Sequence, residues 1–181
     1  GANIARAAVS LPHSQLLDQG HIRTICTRAQ YAAGPGGGAQ CPQGSIYGYA
    51  RAWSPLLEQP LKGPVFLRSS SNTLPDLVAS LRGQIQVDLD GRIDSVNGGI
   101  QTTFELVPDA PVSKFMLTMK GGGKSLLENS ANVCRGNQHT VAKFEAQNGA
   151  TKDIRPLLIN PKCQKQKKNG KGGGDKRGSK R

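Results

Sequence analysis

The sequence predicts an all-β protein: an antiparallel β-sandwich, Ig-like or jelly-roll-like, with at most one short helix and a disordered basic tail. Three observations predict it. Short apolar stretches recur at nearly regular spacing between turn residues, the pattern of sandwiches and barrels. Strands do not alternate with long helical segments, which argues against a parallel α/β sheet. A lean 36% of hydrophobic residues, 4% aromatic, beside 23 glycines and 11 prolines, suits a turn-rich β chain better than a helical bundle.

The elements follow in order. "NIARAAVSLP" reads as a first strand ended by Pro12. The mixed stretch after it admits a short helix between His21 and Ala32. "AAGPGGGAQCPQGS" is a loop. "IYGYARAWS" alternates as a strand does, and "GPVFLRSS" follows a proline-punctuated turn. "LVASLRGQIQVDLDGRIDSV" is the strongest signal: Ile85, Val87, Leu89 and Ile93 share one face, and Gln86, Asp88, Asp90, Arg92 and Asp94 the other. Asn97 to Gly99 supply a hairpin turn. "IQTTFELV" and "SKFMLTMK", joined through "PDAP", are further strands, and "TVAKFEAQ", "NGAT" and "KDIRPLLI" form a last hairpin. The domain is expected over residues 1–161, with two packed β subdomains meeting near 75–80 left open, and the tail over 162–181.

Charge is uneven. The formal net charge is +12, yet residues 162–181 hold nine Lys or Arg and one acid, leaving +4 for the body. The tail lacks apolar residues that could offset its ordering entropy. Lys165, Lys167, Lys168, Lys171, Lys176, Arg177, Lys180 and Arg181 are the expected polyanion-binding residues, with a cell-wall polymer or another polyanion as partner. The tail has no aromatic residue on which bases could stack, so sequence-specific nucleic acid is not expected there. No apolar run approaches the length of a membrane span, and no signal peptide is visible, so the N-terminus reads as a processing boundary.

The four cysteines form no short zinc knuckle. Sequential pairing, Cys26 with Cys41 and Cys134 with Cys163, closes two local loops and is the favoured connectivity of the three possible. Disulfides imply an oxidising compartment, so the expected location is extracellular or at the cell surface.

Four motifs invite chemistry. "KGGGKS" resembles a P-loop, but its first glycine position is Thr118, inside a strand, and the loop is too short to wrap a phosphate. A glycine-rich connection with Lys120 and Lys124 in solvent is the reading adopted. "DLDGRID" has its glycine at the fourth position instead of the sixth and Arg92 among its acids, so it reads as a solvated strand face, not a calcium loop. His13, His21 and His139 are scattered, without a metalloprotease or nucleophile-elbow pattern. Tyr47, Tyr49 and Trp53 fall on one face of a regular strand, as core or, less readily, as a ligand platform. No catalytic residue, cofactor or metal site is expected.

"LPDLVASLRGQIQVDLDGRIDSVNGGIQTTFELVPDAPVSKFMLTMKGGGKSLLENSANVC", with "HIRTICTRAQYA" and "CPQGSIYGYARAWSPLLEQPLKGPVFLRSS" upstream, resembles the C-terminal region of large exported actinobacterial proteins of unknown function. The resemblance implies secretion, β-rich modules and a basic end, and carries no catalytic residue. The resulting expectation is a non-enzymatic structural or adhesive module outside the cell, a piece of a larger surface protein or filament, able to self-associate through β edges. The rival from a different class is an intracellular nucleic-acid-binding accessory protein.

Overall fold

A computed structural model describes residues 2–163. The fold is all-β and antiparallel, as predicted. Nine strands form one sheet in the order β11-β10-β1-β7-β6-β5-β4-β3-β8. Their ranges are β1 Ile4–Ser10, β3 Ile46–Trp53, β4 Leu61–Arg68, β5 Asp76–Arg82, β6 Gln86–Val96, β7 Gly99–Phe104, β8 Lys114–Met119, β10 Val141–Ala146 and β11 Thr151–Ile154. A second, two-stranded sheet pairs β2 (Gln15–Leu17) with β9 (Leu127–Asn129).

The large sheet curls until its faces meet, which gives it a sandwich-like cross-section. Four strands separate β7, which carries Phe104, from β8, which carries Phe115, yet the two rings pack edge to face with centroids 6.4 Å apart. Bulges help the curl. Register shifts occur at Ile4/Arg6 and at Ile46/Gly48. Gly63 marks the tightest approach within the sheet: a Cβ there would sit 1.8 Å from the carbonyl oxygen of Ser80 on β5.

The β6 pattern is observed as predicted. Val87, Leu89 and Ile93 point into the concavity, while Asp88 and Asp90 face out. That outer face is less solvated than expected, because Arg82 pairs with Asp88 at 2.7 Å and Arg68 with Asp90 at 2.8 Å. Burial opposes the charge of Arg68, but Asp90 and Asp76 outweigh it and hold the guanidinium above its ordinary pKa. The β6–β7 hairpin turns at Asn97 (φ 50°) and Gly98 (φ 76°), a left-handed pair of the kind hairpins favour. β5, whose start lies at the point left open for a subdomain boundary, is central in the sheet and buried on both faces from Asp76 to Leu81.

The glycine-rich loop is docked on the protein. Cys26 bridges to Arg68 beside the end of β4, and Thr27 caps the single-turn helix α1 (Arg28–Ala32) reciprocally with Gln30. Tyr31 then packs edge-on to Phe66, within a cluster of Cys26, Ile46 and Val78 on the outer face. Arg82 donates to the carbonyls of Gly36 and Gly37, and Ser80 Oγ donates to Gly37 at 3.1 Å. Burial pushes the Tyr31 phenol up to about 12. The Cys26–Cys41 disulfide, with Cα atoms 5.1 Å apart, fastens this cover. Cys134–Cys163, at 5.2 Å, is the second bridge, so all four cysteines pair as expected.

Candidate functional site

The concave face does not fill itself. Small residues face inward on opposite walls: Ala7 on β1 and Ala52 on β3 line the space, and Ala50 on β3 is buried in the adjoining core. Between the walls lies a cavity of about 940 Å³. This is near the top of the range of about 300–1,000 Å³ for small-molecule sites. The cavity is almost wholly apolar. Among its lining residues only Trp53, Ser54, Thr102, Ser113 and Lys114 carry polar side chains, and those of Trp53 and Lys114 alternate to the outer face of β3 and β8. Ser113 Oγ donates to the Trp53 carbonyl at 3.1 Å, and Ser54 Oγ accepts from the Leu56 amide at 3.2 Å.

The two ends differ. Leu17, Leu126 and Leu127, from the small sheet and the segment leading into it, pack with Leu11 and Ile100 and close one end. A 2.9 Å bond from the Asp18 amide to the Leu126 carbonyl extends the pairing of β2 with β9. The other end is rimmed by the loop after β3 and by the segment joining β7 to β8. Apolar side chains remain wet there and along β8: Leu56 is 70% exposed, Val112 41%, Phe115 40% and Leu117 37%. Apolar surface left open and contiguous marks a place where something binds.

The sequence-predicted features sit elsewhere. Tyr47 and Tyr49 do not share a face, contrary to expectation. The bulge beside Tyr47 inserts one residue and reverses the alternation, so Tyr47 is buried and Tyr49 is 54% exposed on the outer surface. The Tyr47 hydroxyl donates to the His21 carbonyl at 3.2 Å and accepts from the Arg23 amide at 3.2 Å. Lys120 and Lys124 are not free in solvent. Their ammonium groups donate to the carbonyls of Ile46 (2.8 Å) and Gly44 (3.1 Å) and lie over the rings of Tyr49 and Tyr47. Thr118 lies in β8, as read from the sequence, and "SLLENS" contributes β9 and no helix. The histidines remain apart: His21 Nδ1 is 2.7 Å from Asp18, and His139 contacts the Arg155 carbonyl.

The expected polyanion-binding residues Lys165, Lys167, Lys168, Lys171, Lys176, Arg177, Lys180 and Arg181 lie outside the described residues. Among the described residues no helix is long and apolar enough to cross a membrane. The cavity went unread in the sequence. Its one trace there is the run of small residues on β3, which leaves an inward face underfilled.

Comparison with known protein families, with curated proteins and with solved structures gave no match.

Proposed function

We propose that the chain is a non-catalytic binding module that holds one long-chain apolar molecule inside its curled sheet, working in an oxidising compartment outside the cell or at its surface. The cavity carries this reading. Its lining supplies no carboxylate, imidazole or thiol for acid–base or nucleophilic work, and almost nothing that would orient a polar ligand. It extends from an apolar rim to a leucine-lined end, a shape that suits an alkyl or acyl chain. The two disulfides support the compartment. Binding of a series of linear primary alcohols tests the reading. Affinity should rise about fourfold for each added methylene, about 0.8 kcal/mol, until the chain fills the cavity. Absence of saturable binding across the series would refute it.

A second reading is the structural or adhesive module, assembling through β edges. It rests on β8 and β11, which end the sheet with no partner on their outer sides among the described residues. Concentration-dependent sedimentation distinguishes a chain that assembles this way from one that does not.

A further inference from the structure

The outer face of β3, β4 and β8 has a charge pattern unlike the rest of the sheet. These three adjacent strands hold Arg51, Lys62, Arg68 and Lys114 and no acid. Of these, Arg68, at the end of β4, is paired with Asp76 and Asp90, and elsewhere on the outer surface Arg82 and Arg92 are each paired with an aspartate. Arg51, Lys62, Lys114 and Lys120 have no acidic partner among the described residues.

The register makes the arrangement a surface. Met116, Arg51 and Lys62 stand in one cross-strand row, with Lys114 beside Trp53 on one side and Thr118 beside Tyr49 on the other. Lys114 Nζ lies 5.1 Å from the centre of the Trp53 ring, and Lys120 Nζ 5.7 Å from that of Tyr49. Arg51 directly opposite Lys62 is a like-charge pair, which weakens a sheet. Such a local conflict points to a role in binding. Met116 is 41% exposed on this face, and Leu56 and Val112 protrude at the adjoining rim.

We infer that this face docks on an anionic lipid surface, with the cations on the headgroups and Leu56, Val112, Met116 and Trp53 at the apolar boundary. Charge complementarity selects an anionic partner. The exposed aliphatic side chains select a bilayer over a nucleic acid, which has no place for them. Cations near an anionic membrane and amphipathic rings at its interface each favour this orientation. The inference stands on the outer face and does not require the cavity to be occupied.

The test uses the full chain and sedimentation with vesicles, either phosphatidylcholine alone or phosphatidylcholine mixed with phosphatidylglycerol. The expected result is binding to the mixed vesicles that weakens with added salt. Arg51→Glu/Lys62→Glu should weaken it by at least about tenfold. That pair keeps two like charges opposed, so the fold should tolerate it, and thermal melting verifies this. Arg51→Gln/Lys62→Gln, with a smaller loss, replaces it if melting shows damage. Lys143→Glu/Lys152→Glu, on β10 and β11, makes the same change in net charge and should leave vesicle binding within about twofold. An equal loss in that control would reduce the effect to net charge and overturn the inference. So would a loss confined to single-stranded RNA binding, which would make the face a nucleic-acid surface.

Discussion

Two neighbours on β8 separate the inner face from the outer. Phe115 lines the cavity and is 40% exposed, whereas Met116, next in the chain, points outward and is 41% exposed. An aromatic side chain offers about 200 Å², so roughly 80 Å² of Phe115 is open for a bound chain to cover. At about 25 cal/mol per Å², covering it stabilises the complex by about 2 kcal/mol, about thirtyfold in affinity. Phe115→Ala should therefore weaken binding of a long-chain alcohol by about that factor. Met116→Ala should leave the same affinity unchanged. Displacement of an environment-sensitive apolar dye measures both, and denaturant midpoints show that the variants remain folded. Truncating Phe115 also removes its edge contact with Phe104, an expected loss of about 1 kcal/mol in stability. Equal weakening by both substitutions would locate the effect in the stability of an edge strand. No weakening by Phe115→Ala would show that the alcohol binds elsewhere. Either result refutes the assignment of the cavity as the site.

Two further outcomes test the frame around the site. Gly63→Ala places a methyl group where the Ser80 carbonyl already lies and should lower stability by more than about 3 kcal/mol in denaturant unfolding; a loss under about 1 kcal/mol would show that β4 and β5 can part easily. Glu105 is hydrogen-bonded and ion-paired to Arg6, which holds its carboxyl below the usual range. A lowered folded-state pKa gives stability that is present above the unfolded value of about 4.3 and lost as pH falls through the folded one. The pair is exposed and screened, so the contribution should stay below about 1 kcal/mol, and Glu105→Gln should flatten the acid limb of a melting-temperature profile by that much.

The strands were legible because alternation reports which face is buried, and β6 is the clearest case. The hairpins were legible because Asn97, Gly98 and Gly149 sit where left-handed backbone is needed. Periodicity did not separate β5 from β6, since β5 is apolar on both faces and its run continues into the next strand. It also missed β2 and β9, three residues each, too short for a pattern. Tyr47 was misplaced because a bulge leaves no mark in an alternating string. The cavity was hidden for a related reason. An inward apolar face looks the same in sequence whether the opposite wall fills the space or stands back from it. The basic outer face was overlooked because its cations come from β3, β4 and β8, and the last of these is distant in sequence. Only the register brings Arg51, Lys62 and Lys114 together.

Among the described residues β8 is held to the large sheet by β3 alone, and no strand pairs with its other long side. A cylinder closed all round by hydrogen bonds has to be threaded: one tip of the guest must be narrow enough to enter first. An unclosed sheet imposes no such rule. On the proposed reading, a guest bearing bulky groups at both tips is laid in sideways past the strand carrying Leu117, and lifted out by the same route. Admission then depends on the girth of the middle of the guest, and its tips are free to project into whatever lies outside.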